Sequence, residues 1–372
     1  MKYIITYLFV VLLFPLLSFG QTHKIDSIIE SKLTYTSEKP VHNILIQIQN
    51  TRGTKSFHKG INHKGKDSIL VSGQEQFKAA SSTKLFVATI ILQLMEEGKL
   101  NLNDKASKFL KNIAFLNFEN FHLYNKQKFS SQITIEQLLS HRSGLADIFN
   151  DKEEDFFGIL LQNPKKTYSP KSIVELYFKF KLNQSAHFKP NEGWHYSDMN
   201  YLLLGLIIEQ IEQNSLAESI RSRILEPLEM NETYFEFYEK PTSKNNLIHQ
   251  YVGNLNFSEI NTSFDWSGGG LVSSNKDLIT FITSLFDLKL ISKNSLQKMT
   301  DVQYTKEHEY RYGLGMYESK YNGKTYYGHY GFYGTYVGYC PETKTAISYS
   351  INQALADFNR HTFVSGILKL IE

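Results

Sequence analysis

The amino-acid sequence predicts an α+β fold of the β-sheet-plus-helical-insert kind. An antiparallel sheet is built from both chain ends and flanked by terminal helices, and a mostly helical subdomain is inserted between them. Three observations carry this expectation. HNILIQIQN (42–50) alternates apolar and polar residues near the start, with SILV (68–71) as a second candidate strand. Helix-period patterns fill the middle, at 84–98, 134–141, 171–180, 201–213, 216–225, 275–286 and 293–299. Strand patterns return in GKTYYGHYG (323–331), TYVGYCP (335–341) and TAISYSIN (345–352). Helices over 25–35 and about 355–371 complete the terminal layer. A cleft between sheet and helical insert is the natural place for a ligand.

The chain has 372 residues, 41% of them hydrophobic, which suffices for a large core. Lys and Arg number 40 against 37 Asp and Glu, so the balance of +3 gives no basic surface for nucleic acid. Residues 1–20, MKYIITYLFVVLLFPLLSFG, have the pattern of a cleavable signal peptide: Lys2, an apolar core broken by Pro15, then Ser18 and Gly20 before Gln21. The apolar run is short for a full membrane span. The expected mature chain is a single domain, 21–372, periplasmic or secreted, without a stable membrane anchor. Cys340 is the only cysteine and reads as a small buried hydrophobe, which excludes an internal disulfide and a Cys-ligated zinc.

The stretch FKAASSTKLFVATIILQLMEEGKL (77–100) is the first with chemical content. Phe86, Ile90, Ile91, Leu94 and Met95 recur at helical spacing, predicting an amphipathic helix. Ser81 and Lys84 lie three residues apart at its start and share a face. An amine beside a hydroxyl can take its proton. Ser-x-x-Lys is weak alone and recurs at Ser56–Lys59, Ser273–Lys276 and Ser295–Lys298, and a serine at a helix start is usually a cap. The partners decide. NEGWHYSDMNYLLLGLIIEQI (191–211) presents Tyr196, Ser197 and Asp198 from a loop before an apolar helix, and YYGHYGFYGTYVGY (326–339) carries His329 and Gly331 on a candidate strand. ITIEQLLSHRSGL (133–145) and WSGGGLVSSNKDLITFI (266–282) support them.

This ordered set resembles the serine β-lactamase and penicillin-binding protein superfamily, on the branch of class C β-lactamases, D,D-carboxypeptidases and related esterases. Ser81-Ser-Thr-Lys84 matches its Ser-x-x-Lys motif, Tyr196-Ser-Asp198 its Tyr-x-Asn position, and His329-Tyr-Gly331 its Lys-Thr-Gly or His-x-Gly motif. The resemblance covers nearly all of the chain after the signal. It implies a secreted serine hydrolase that forms an acyl-enzyme on an amide or ester. Ser81 is then the nucleophile and Lys84 and Tyr196 its activators, with cationic or polar neighbours lowering the phenol or amine pKa. The backbone N–H groups of Ser81 and Phe332 are the implied oxyanion donors. His329 is implied to orient Tyr196 or bind a substrate carboxylate, and Gly331 to let substrate approach the strand edge.

Two departures from the pattern bear on substrate. Asp198 is acceptor-only when ionised, where Asn can donate; its implied role is to hold Lys84 charged and oriented. Tyr330 stands where Thr or Ser often helps bind a carboxylate. The leading expectation is a D-alanyl-D-alanine carboxypeptidase-like, penicillin-binding enzyme on cell-wall peptide. The alternatives are an esterase or D-amino-acid peptidase on small substrates, and a non-hydrolytic penicillin-binding sensor. Gly268–Gly270 read as a tight turn and not a phosphate loop, since no Gly-Lys-Ser/Thr follows. His122, His141 and His187 form no metal-binding helix motif, so no metal and no cofactor are expected. Loops 112–130 and 236–265 are expected to line the pocket.

Overall fold

The first strand of the chain pairs with its last. A computed structural model describes residues 22–64, 67–241, 247–302 and 311–371. Eight strands form the main sheet: β1 Asn43–Asn50, β2 Gly53–Lys64, β3 Asp67–Leu70, β4 Arg311–Tyr312, β5 Tyr317–Tyr321, β6 Lys324–Gly331, β7 Thr335–Cys340 and β8 Thr345–Ile351. Their spatial order is β4-β5-β6-β7-β8-β1-β2-β3. All neighbours are antiparallel, with Ile46 opposite Tyr349 and Tyr336 opposite that same Tyr349. The signal-peptide expectation falls on residues outside the described ones.

Period-two alternation decides what each sheet face buries. Ile44, Ile46, Ile48, Tyr336, Cys340, Ile347 and Tyr349 point to one face. There they meet Ile25 and Ile29 of α1 (22–30) and Phe363, Val364, Ile367 and Leu368 of α5 (Arg360–Ile371). Cys340 is fully buried in this layer, as its apolar surroundings in the sequence predict. Leu45, Val337 and Ala346 face the other way, into the core shared with the helical insert. That core contains α2 (Thr83–Glu96), α3 (Asp198–Glu212) and α4 (Asn275–Phe286).

Helix starts follow local capping chemistry. The helix Ile135–Leu139 begins after Thr134, and Pro170–Lys179 after Ser169, each with a reciprocal capping box. Two readings change. The segment 84–98 reads as amphipathic, yet α2 is buried on all sides from Thr83 to Leu92, because sheet and insert cover it from both directions. The segment 201–213 starts three residues earlier, at Asp198, so this carboxylate sits in the first turn of α3 and not in the loop. Strands β2, β4 and β5 escape the sequence pattern. β2 contributes only Phe57 to the terminal-helix layer, and its polar alternation hides it.

Ile347 ties β8 to β1 and β7 under the terminal helices and is fully buried. Ile347→Ala is expected to destabilise the protein by about 2–5 kcal/mol through lost burial and a residual cavity. Equilibrium denaturation measures it, and a loss under about 1 kcal/mol would show that the layer does not depend on this contact.

Candidate active site

Ser81 lies in a single 3-10 turn, Ala80–Ser82, immediately ahead of α2. The turn is forced: Ala80 has φ +48°, a left-handed conformation costing a non-glycine residue about 1–3 kcal/mol. Clamps on both sides hold it. Ala79 N–H donates to the Leu271 carbonyl at 2.8 Å, and the Thr335 hydroxyl donates to the Ala79 carbonyl at 3.0 Å. The Ser82 hydroxyl donates to the His329 carbonyl at 3.2 Å. Gly331 belongs to this clamp. A Cβ there would stand 2.0 Å from Thr335 Oγ1 and 2.4 Å from the Ala79 carbonyl oxygen. The glycine is thus required by the serine turn packed on it.

Lys84 projects from the first turn of α2 and is fully buried. Its Nζ lies 3.1 Å from Ser81 Oγ, 2.5 Å from Asp198 Oδ1 and 2.7 Å from the Gly268 carbonyl oxygen. Gly268 carries no side chain because a Cβ would meet Asp198 Oδ1 at 2.5 Å. The other Ser-x-x-Lys matches are elsewhere: Ser56 and Lys59 are on β2, Ser273 is buried against Thr233, and Ser295 lies in the helix Lys293–Thr300.

Asp198 is held from behind by Asp147, a residue the sequence reading passed over. Asp147 Oδ1 accepts the Asp198 N–H at 2.7 Å, while Oδ2 caps the short helix Ile148–Asp151 by accepting from the N–H groups of Phe149 and Asn150. Burial and then the neighbouring Asp198 carboxylate push the Asp147 carboxyl well above the ordinary range. Its only sequence signal was an Asp before an apolar residue, an ordinary N-cap.

Tyr196 stacks on His141, with ring centroids 4.3 Å apart, and its ring lies 5.1 Å from Lys84 Nζ. Burial, then Asp198 and Tyr317, push the phenol well above its usual pKa of 10, against a smaller opposing interaction with the Ser81 hydroxyl. This reverses the expectation of a lowered phenol pKa: taking a phenolate out of water costs more than the neighbouring lysine returns. His329 is also buried, and burial followed by Lys84 drives its pKa down to about 3. Its Nδ1 donates to the Tyr330 carbonyl at 2.7 Å, so Nε2 accepts from the Tyr312 hydroxyl at 3.1 Å. A neutral imidazole with both nitrogens occupied is not available to a substrate carboxylate. Tyr312, on a strand the sequence pattern did not reveal, is what occupies it. Tyr330 turns to the opposite sheet face, where its hydroxyl donates to Ser319 Oγ at 2.9 Å.

Ser81 opens into a cleft with about 770 Å³ of open space. Phe149, Phe156, Phe157, Phe257, Phe264 and Phe332 supply an aromatic lining. The cleft places Ser81 beside Phe332, but its walls come from segments 149–157 and 257–269, so of the two expected loops only 236–265 contributes. The charged side chains on the wall are Glu153, Asp198 and Asp265, with no Lys or Arg among the described lining residues. Asp265 accepts from the Tyr333 hydroxyl at 2.8 Å, and burial pushes its carboxyl up to about 7.

Comparison with known proteins bears on the family and the fold. Residues 50–363 match the family model described as Beta-lactamase. "Protein flp" of Staphylococcus aureus strain MW2 is 33% identical over 214 residues, which are 57% of this chain and 38% of that protein. The chain thus aligns with little more than a third of the curated relatives that head the comparison. A Staphylococcus aureus protein named teichoic acid D-alanine hydrolase is 28% identical over 298 residues, 78% of this chain and 64% of that protein. Among solved structures, the D-amino acid amidase of Ochrobactrum anthropi SV3 with D-phenylalanine superposes with a TM-score of 0.77 at 22% identity, covering 95% of this chain and 99% of that one. The octameric penicillin-binding protein homologue of Pyrococcus abyssi gives 0.75 at 26% identity, covering 94% and 77%. With a family match across most of its length and this fold around a Ser-x-x-Lys pair whose lysine is buried, the chain belongs to the beta-lactamase family.

Proposed function

We propose that the chain is a serine hydrolase that cleaves small amides or esters of amino acids bearing a free amine, through an acyl-enzyme on Ser81. The contact between Lys84 Nζ and Ser81 Oγ, opening into an acidic aromatic cleft, is the observation that carries this reading. Lys84, acting as the neutral amine, donates to the acceptors Asp198 and Gly268 and takes the Ser81 proton as Oγ attacks the carbonyl. Tyr196 keeps its proton at rest, since burial holds the phenol neutral, and supplies one to the leaving amine or alcohol. The phenol is then reprotonated from Lys84. Water repeats the sequence on the acyl-enzyme and releases the acid. Ser81 and Phe332 supply backbone N–H donors for the oxyanion. Asp198 orients Lys84, and His329 buttresses Tyr196 through the aromatic cluster with Tyr312 and Tyr317.

The wall charge favours an amine over a carboxylate. With Asp198 engaged by Lys84, Glu153 and the ionised form of Asp265 attract a substrate ammonium and repel the free carboxylate of a D-alanyl-D-alanine peptide. This reading therefore prefers the amino-acid amidase or esterase alternative to a carboxypeptidase. The names of the structural neighbour, an amidase of D-amino acids, and of the teichoic acid D-alanine hydrolase support substrates of D configuration. Among the described residues no helix is long and apolar enough to cross a membrane. The signal pattern of residues 1–20 supports a reading in which the chain acts in the periplasm or outside the cell, starting at Gln21.

Ser81→Ala is expected to abolish covalent labelling by a serine-directed phosphonate, whereas Ser56→Ala is not; labelling that survives in Ser81→Ala removes the nucleophile assignment. Lys84→Ala and Tyr196→Phe should each slow single-turnover acylation by about 10²–10⁴-fold. As members of one unit they should lose little more together than the worse single variant. Strictly multiplicative losses would show that they act separately.

D-Phenylalanine p-nitroanilide should exceed its N-acetyl derivative by about tenfold or more in kcat/KM, because a hydrogen bond to a charged group is worth about 1.5–3 kcal/mol. Equal rates, or faster cleavage of a D-alanyl-D-alanine peptide, would overturn the substrate class. Asp265 loses its proton as pH rises through about 7, so KM for the free-amine substrate should fall between pH 6 and 8. Asp265→Asn should remove that part of the profile and leave the substrate's own titration. Identical profiles in the two proteins would exclude Asp265 from substrate binding.

A further inference from the structure

The segment that carries Tyr196 meets the end of the short helix Ile148–Asp151. His187 and His195 stack with centroids 3.5 Å apart and an interplanar angle of 24°. Both aim Nε2 at one oxygen of Asp151: His187 Nε2 lies 2.9 Å from Oδ2, and His195 Nε2 lies 3.2 Å from it. That same oxygen accepts the Asp147 N–H at 2.7 Å. Three donors therefore crowd one carboxylate oxygen, and two of them are imidazole nitrogens that can equally present lone pairs.

We propose that Asp151, His187 and His195 form a site for a divalent transition-metal ion of the zinc class. The donor atoms lie within 4.8 Å of one another. A tetrahedral ion with bonds of about 2.0–2.1 Å spaces its ligands by about 3.3 Å, so the arrangement is near the required one. Binding replaces both imidazole protons at Oδ2 with the ion, leaves the Asp147 N–H bond in place, and keeps the fourth position for water. Two imidazoles and a carboxylate match zinc better than calcium or magnesium, which take oxygen ligands. No sequence motif exposes the set, because Asp151 ends the short helix Ile148–Asp151 while His187 and His195 sit eight residues apart on the segment leading into α3. It departs from the expectation of a metal-free chain.

The ion would brace the loops on either side of the site. The N–H of His187 bonds to the Gly144 carbonyl and that of His195 to the His141 carbonyl. His195 precedes Tyr196, and the Asn150 side chain donates to the Tyr196 carbonyl at 3.3 Å. The binding claim stands apart from the hydrolase reading.

The test is isothermal titration of Zn²⁺ into chelator-treated full chain, with Co²⁺ absorption as the spectroscopic probe. One equivalent is expected to bind at about micromolar Kd or tighter, to raise Tm, and to give Co²⁺ the intense visible bands of four-coordination. His187→Gln and His195→Gln should each weaken Zn²⁺ at least about tenfold, abolish the Co²⁺ bands and leave the metal-free Tm unchanged. His187 lies near the surface, so its substitution is the safer one for folding. Absence of binding tighter than millimolar in the wild type overturns the proposal. So does undiminished affinity in the folded His187→Gln protein, which would place the ion elsewhere.

Discussion

The buried Lys84 ammonium or amine is the constraint around which the helical insert is organised. It has no contact with water, and leaving a cationic group in that position without partners costs several kcal/mol. Three oxygen groups from three separate segments meet it: the Ser81 hydroxyl from the turn, Asp198 from α3 and the Gly268 carbonyl from the glycine run. Each segment is in turn fixed by something else. Asp147 holds Asp198, the bare Cα of Gly268 admits the Asp198 carboxylate, and the sheet clamps the serine turn. Removing any one partner leaves a buried polar group exposed to the same penalty, so the arrangement is cooperative.

The sheet contributes rigidity to the site more than it contributes reacting groups. The end of β6 presses Gly331 against Ala79 and Ala80, and β7 reaches the same turn through Thr335. The strain stored at Ala80 is held there by these contacts and by the pairing of Ala79 with Leu271. His329 serves the same purpose: its two ring nitrogens are spent on Tyr330 and Tyr312, and its carbonyl holds Ser82. Its position in the third motif is thus structural as well as close to the chemistry.

Electrostatics divide the site into two zones. Around Tyr196 and His329 burial dominates, keeping the phenol protonated and the imidazole neutral despite a lysine nearby. On the cleft wall, the carboxyls of Glu153 and Asp265 give the open space an acidic character, while Asp198 is engaged by Lys84.

The local sequence determined what depends on periodicity and short spacing. Alternation in 42–50 and 323–352 marked the sheet built from both chain ends, and helix-period runs marked α2, α3 and α4 with boundaries shifted by a few residues. Ser81 and Lys84 were legible because three residues on a helix share a face whatever surrounds them. Only the tertiary structure decided in which Ser-x-x-Lys the lysine is buried against its serine, because burial is a property of the packed elements. It alone brought Asp147 behind Asp198, Tyr312 onto His329, and Asp265 and a row of phenylalanines onto the cleft wall. It also set the pKa directions, reversing the one expected for Tyr196, since desolvation is fixed by what covers a side chain and not by its neighbours in sequence.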